Sequence, residues 1–130
     1  MLTRRSIIMA AAFTFAFGTA HADEPAAFSA EVFDAAQNQD KPILIEITAS
    51  WCPTCKIQAP IIDELTQRDT FKDLVVLRVD FDTQKDVVRN FGANMQSTLI
   101  VFKGRNEVSR SVGETNPEVI EAQIAAAVSG

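Results

Sequence analysis

Histidine is almost missing from this chain of 130 residues: there is one, His21, and the only cysteines are Cys52 and Cys55. A metal centre built within one chain draws on several His and Cys ligands, so none is expected. Positive charge is also in deficit, with 12 Lys and Arg against 17 Asp and Glu and a formal net charge of −5. Without a basic stripe to release counterions from a phosphate backbone, nucleic acid is not an expected partner. No run approaches the roughly 18 uncharged apolar residues that span a bilayer. Repeats and low-complexity linkers are absent too, and the length leaves room for one domain. What remains is 47% hydrophobic and 22% charged, a balance that excludes a disordered polyelectrolyte and suits a small packed core.

The ends of the chain differ. Arg4 and Arg5 precede an apolar stretch from Ile7 to Gly18, followed by Ala20-His21-Ala22 and the acidic Asp23-Glu24. Basic, apolar and small-residue regions in that order read as a secretory signal peptide. Residues 1–22 are therefore assigned to the signal and 23–130 to the mature domain. An uncleaved anchor is the alternative, although the apolar stretch is short for a span. The run Thr3-Arg4-Arg5-Ser6-Ile7-Ile8 also resembles a twin-arginine export signal. Cleavage after Ala22 removes two arginines, no acid and the single histidine, which takes the formal charge from −5 to −7 and keeps both cysteines.

Along the mature part, Ser29 is a helix N-cap candidate, with Phe28 and Phe33 placed to form a hydrophobic staple, and a helix to about Asn38. After the Asp40-Lys41-Pro42 turn, residues 43–49 are apolar and β-branched, as in a buried strand, with Glu46 as the interruption. Pro53 opens a helix to about Arg68, with Pro60 expected to kink it. Strands over 74–81, 98–103 and 107–112, a short helix over 83–91 stopped by Gly92, and a last helix from Thr115 to near Val128 complete the pattern. Strand–helix–strand alternation predicts parallel pairing, with the final hairpin adding an antiparallel edge. The expected fold is α/β: a mixed sheet of about four strands with helices on both faces. Reactive groups belong beyond the carboxyl end of a strand, and Cys52 falls there.

The chemistry sits in Trp51-Cys52-Pro53-Thr54-Cys55-Lys56. Two cysteines three apart at a helix start can close a small disulfide ring. Cys52 would lie where unpaired N–H groups and the helix dipole favour an anion, which lowers a thiol pKa. Cys55, one turn inside, is expected to be the better buried and suited to attack a mixed disulfide on Cys52. Lys56 adds a positive charge. An inert stapling disulfide and half of a zinc knuckle are the competing readings.

Residues 49–60, Ala49-Ser50-Trp51-Cys52-Pro53-Thr54-Cys55-Lys56-Ile57-Gln58-Ala59-Pro60, resemble the active-site segment of the thioredoxin superfamily. Trp before the first Cys, Lys after the second and Pro five residues beyond it all match. The resemblance continues through Val79-Asp80, Phe91-Gly92, Thr98 to Gly104 and Gly113. Among subfamilies it is similar to exported reductive thioredoxins, including those that serve cytochrome c maturation and the periplasmic domains of transmembrane thiol-electron transporters. The implied fold is thioredoxin-like, a central sheet flanked by helices. Only Asp23 to Ala27 precede the first helix, so the family's first strand is expected to be short or missing.

The resemblance also implies roles. A buried acid six residues before the first Cys falls on Glu46, and the family usually has Asp there. Period-two alternation puts Glu46 on one face with Leu44 and Thr48, opposite Ile43, Ile45 and Ile47. As a proton acceptor for Cys55 it would have a raised pKa; the alternative is a structural ion pair with Arg78 on the neighbouring strand. Trp51, Pro53, Thr54, Gln96 and Ser97 would form the docking surface for substrate, with core packing as the alternative for Trp51. The family's cis proline falls on Ser97, the largest departure in the chain. A non-proline cis bond costs about 2.5–4 kcal/mol, so the Gln96–Ser97 bond is expected to be trans and the loop reshaped. Serine also brings an N–H and a hydroxyl that, facing the disulfide, could donate to Cys52, and the loss of the ring could open the sulfurs to metal.

The expected function is an exported, periplasmic thiol–disulfide oxidoreductase that needs no cofactor because the cysteine pair carries both electrons. Its partners would be oxidised client proteins and a membrane thiol-electron donor, and it would act as a monomer. Strong oxidants of this type owe their power to a very low thiol pKa, usually through a His between the cysteines. Pro53-Thr54 offers none, so reductase or isomerase support is favoured over oxidation, with reduction of client disulfides as the leading reading and an oxidase or isomerase of the same fold as the alternative. A module of the same fold that binds metal or a partner without turnover is the rival class.

Overall fold

The computed structural model describes residues 25–128. The assigned signal segment lies outside these residues. The elements are β1 (Ala26–Ala27), α1 (Ala30–Asn38), β2 (Pro42–Thr48), α2 (Pro53–Thr66), a 3₁₀ turn (Asp69–Phe71), β3 (Val75–Asp80), α3 (Lys85–Asn90), β4 (Thr98–Lys103), β5 (Asn106–Val112) and α4 (Pro117–Val128). None of the described helices is long and apolar enough to cross a membrane.

Local signals set most of the boundaries. Ser29 Oγ accepts the Val32 N–H at 3.2 Å, capping α1. The staple forms, with Phe28 and Phe33 ring centroids 5.7 Å apart. Pro53 is the first residue of α2 and Pro60 lies within it, where the missing N–H leaves the Lys56 carbonyl without its helical donor. The helix ends two residues earlier than the sequence suggests, at Thr66. There Thr66 Oγ1 donates to the Asp63 carbonyl and Arg68 bridges Glu64 and Glu121, tying α2 to α4. The short helix α3 is also trimmed. Asp80 Oδ1 accepts the Asp82 and Thr83 amides, each at 2.9 Å, and holds that stretch in a turn. Gly92, at φ +64°, closes α3 as a left-handed cap.

The sheet has five strands rather than four, in the order β1-β3-β2-β4-β5. The first strand is present but only two residues long, pairing Ala26 with Leu77 and Ala27 with Arg78. β1 and β2 run parallel to β3. β4 corrects the alternation rule: although a helix separates it from β3, it runs antiparallel to β2. Gly92, at φ +64°, turns the chain back after α3, so it re-enters the sheet at the end where it left, and Thr98 pairs with Ile47 at the carboxyl end of β2. That places residues 95–97 beside the start of α2.

Alternation along β2 divides the core. Leu44 packs with Ile62, Leu65, Leu99, Val101, Ile120 and Ile124 on the face covered by α2 and α4. Ile43, Ile45 and Ile47 pack with Ala36, Leu77, Val79, Val88 and Ile100 on the face covered by α1 and α3. Each of these β2 side chains is at most 1% exposed, and burying one contributes roughly 1.5–3 kcal/mol.

Candidate active site

The loop after β2 turns at Ala49 and delivers Cys52 to the N-cap of α2. Cys52 and Cys55 are joined by a disulfide, their Cα atoms 5.3 Å apart. Cys52 Sγ accepts the Cys55 N–H at 3.1 Å, so the sulfur takes the place of a capping oxygen. A thiolate there meets first-turn N–H groups and the positive end of the helix dipole, which stabilise it. The sequence expectation on burial is reversed: Cys52 is 1% exposed and Cys55 7%. Cys52 caps the helix from beneath, packed with Ala49, Cys55 and Phe81, whereas Cys55 borders an open cleft. Capping geometry, and not exposure, distinguishes the two sulfurs.

That cleft, about 370 Å³ in volume, is bordered by Glu46, Cys55, Lys56, Gln58 and Arg78 among others. Glu46 lies on the α2 face of the sheet, as alternation predicts, and is 5% exposed. Both readings of Glu46 find support. Arg78, its register partner on β3, approaches at 3.4 Å. Even so, the Glu46 pKa is raised: burial pushes it up, Arg78 opposes and nearby Asp63 adds to the rise. Burial wins because Arg78 is itself one-third exposed and shares its charge with water. A protonatable acid thus borders the same cleft as Cys55, with room for water between cleft and solvent.

Trp51 is 55% exposed, which overturns core packing as its role. Its Nε1 donates to Asp82 Oδ2 at 2.7 Å, and Asp82 sits in the turn held by Asp80. The Thr83 N–H, opposed by partial desolvation and helped by the Asp82 N–H, keeps the Asp80 carboxyl below its usual range. Pro53 is exposed and Thr54 half-buried on the first turn of α2.

No peptide bond among the described residues is cis, so Gln96–Ser97 is trans as expected. Ser97 has φ +58°, a left-handed conformation rare for a side-chain-bearing residue. It is buried, and its hydroxyl donates to the Gln96 carbonyl at 2.6 Å instead of turning to the sulfurs. Gln96 is half-buried beside it, and Met95 is exposed at the loop tip.

One residue at this site escapes motif reading. Gln58 is 3% exposed, and its Nε2 donates to the carbonyls of Ser97 and Glu114 at 3.2 and 2.8 Å. Its signal was positional: Cys55, Gln58, Ile62 and Leu65 form the buried stripe of α2, and a glutamine on such a stripe needs partners.

Comparison with known proteins places this arrangement among others. The family described as Thioredoxin matches residues 23–126. A thioredoxin of Mycobacterium tuberculosis is 42% identical over 77 residues, covering 58% of this chain and 65% of the relative. The chain thus spans just under two thirds of the length of that relative. Thioredoxin-2 of Saccharomyces cerevisiae is 35% identical over 101 residues, covering 77% of this chain and 94% of its own. Among solved structures, Trxlp from Edwardsiella tarda superposes with a TM-score of 0.75 at 37% identity, covering 78% of this chain and 98% of that one.

Proposed function

This chain belongs to the thioredoxin family, and on that premise we propose that it is an exported thiol–disulfide oxidoreductase that reduces disulfides in client proteins. The observation that carries the reading is a disulfide whose first sulfur is the N-cap of α2. In the reduced protein the Cys52 thiolate attacks a client disulfide, forming a mixed disulfide and releasing one client thiolate. Cys55 then attacks Cys52 Sγ, releasing the second client thiolate and closing the Cys52–Cys55 bond. Two electrons pass from the dithiol to the client, and the two client thiolates take up two protons from solvent, balancing the two that Cys52 and Cys55 release to it. Glu46 accepts the Cys55 proton through the cleft they share and returns it to solvent.

The resulting disulfide needs a reductant. In an oxidising compartment that role falls to a membrane protein relaying electrons outward through thiols. The basic–apolar–small order of residues 1–22 supports export to such a compartment, with the mature protein acting as a monomer. Pro53-Thr54 between the cysteines supports the reducing direction, since neither adds a charge that would depress the Cys52 pKa further.

The test is trapping. Cys55→Ser, expressed with its leader and recovered from the exported fraction, should carry client proteins disulfide-bonded to Cys52, and Cys52→Ser should carry none. A redox titration against glutathione fixes the direction: a potential near about −270 mV supports reduction, and one near about −120 mV would make the protein an oxidant. Intact wild type that carries stoichiometric metal and reduces no disulfide would favour the binding-module reading.

A further inference from the structure

We infer that Gln58 is a positioning residue that fixes the Ser97 loop against the dithiol helix through its side-chain hydrogen bonds. A buried carboxamide is costly unless its hydrogens are used. Both hydrogens of Gln58 Nε2 have acceptors, and both acceptors are backbone carbonyls from other segments, Ser97 ahead of β4 and Glu114 after β5. The Ser97 carbonyl is filled from two sides, since it also accepts the Gly113 N–H at 3.0 Å. Three chain segments, separated by 39 and 56 residues from Gln58, therefore meet at one amide.

Ser97 is where such a fixing is needed. Serine has no ring to restrict φ, and a left-handed φ of +58° persists in a residue with a Cβ only when surroundings over-determine it. The Ser97 hydroxyl and the Thr98 hydroxyl bond only to carbonyls of the same loop, Gln96 and Met95. They shape the loop but do not anchor it. The long-range anchors are the two donors on the Ser97 carbonyl, and Gln58 supplies the one from α2. Gln58 follows Cys55 by three residues, on the same buried stripe. The loop is thereby tied to the helix that carries both cysteines, and its backbone is set for a client segment to dock.

The kinetic arm rests on the oxidoreductase reading; the amide arm does not. Two variants of the full mature chain are compared with wild type after denaturation confirms folding. Gln58→Met keeps length and apolar packing but removes both donors. Gln58→Glu keeps shape and sets an acceptor against two carbonyls. Exchange of the Gly113 amide, followed by NMR, should quicken at least about tenfold in Gln58→Met and more in Gln58→Glu, with the Ile45 amide in the central strand unchanged. For reduction of insulin, KM should rise about tenfold with little change in kcat. The rate with oxidised glutathione, which has no extended segment to dock, should fall far less. Gly113 exchange equal to wild type in both folded variants, or insulin and glutathione rates falling in proportion, would overturn the role. If wild type reduces neither disulfide, the oxidoreductase reading fails and amide exchange alone decides Gln58.

Discussion

Two segments face each other across the carboxyl end of β2, and they are built in opposite ways. Residues 51–56 follow local rules: a capping sulfur, proline at the first helical position and a helix that grows from them. Residues 95–98 break local preference, with a trans bond ahead of a serine held at φ +58°. The first segment carries its helix-start signals within itself. The second is shaped by the Ser97 and Thr98 hydroxyls bonding within the loop and is held to the rest of the fold by Gln58 and Gly113 at the Ser97 carbonyl. Chemistry is thus carried by the segment with the stronger local code, and the surface beside it is set by the segment with the weaker one.

Breaking the cysteine segment should give the largest effect. Cys52→Ser is expected to lower disulfide reduction to background, since no other thiol stands at the helix cap. In reduced wild type, iodoacetamide should modify Cys52 before Cys55, with a midpoint below the ordinary thiol value of about 8.5. Equal reactivity of the two thiols would remove the assigned order of attack.

Glu46→Gln comes next. Removing a positioned proton acceptor is expected to slow turnover at neutral pH by about a hundredfold. Stability should respond to pH in a defined sense. The folded carboxyl, its pKa raised above 4.5, holds its proton to higher pH than the unfolded one. Wild-type stability contributed by this group is therefore full below about 4.5 and is lost as pH rises through the folded pKa. Urea unfolding at a series of pH values should show that decline in wild type and its absence in Glu46→Gln. Parallel curves would reduce Glu46 to the partner of Arg78.

The loop is probed by two substitutions of opposite sign. Proline fixes φ near −65°, incompatible with the observed +58° at Ser97. Ser97→Pro should cost about 2–3 kcal/mol in urea unfolding unless the whole loop is rebuilt. Ser97→Gly relieves the left-handed strain at the expense of chain entropy and the Gln96 bond, and should stabilise by about 0.5 kcal/mol or less. A stable, fully active Ser97→Pro would mean that the loop adapts freely and that its observed shape is not required.

Trp51→Phe should have the smallest effect on folding. It removes the Asp82 hydrogen bond from a ring that is mostly exposed, worth about 0.5–1.5 kcal/mol. The sharper readout is KM for a protein disulfide, which should rise while the helix-cap chemistry of Cys52 stays in place. An unchanged KM would remove Trp51 from the docking surface.

Much of this protein was legible in its sequence. Ser29, Pro53 and Gly92 mark helix ends through groups within three residues of them. The alternation of residues 43–48 fixed which side chains enter which half of the core, Glu46 included. The cysteine pair with its helix start specified a disulfide at a cap. These are short-range properties, set by residue type and period alone. Three features were decided only by tertiary structure. β4 runs antiparallel because the chain re-enters the sheet at the carboxyl end of β2, where Thr98 meets Ile47, a pairing made in space. Cys52 is the more buried sulfur because Ala49 and Phe81 close over it while Cys55 borders the Glu46 cleft. Ser97 takes a conformation that its own sequence disfavours, since its carbonyl finds donors 39 residues away in one direction and at Gly113 in the other. Such hydrogen bonds exist only once the sheet has brought the segments together, so no local pattern could have encoded them.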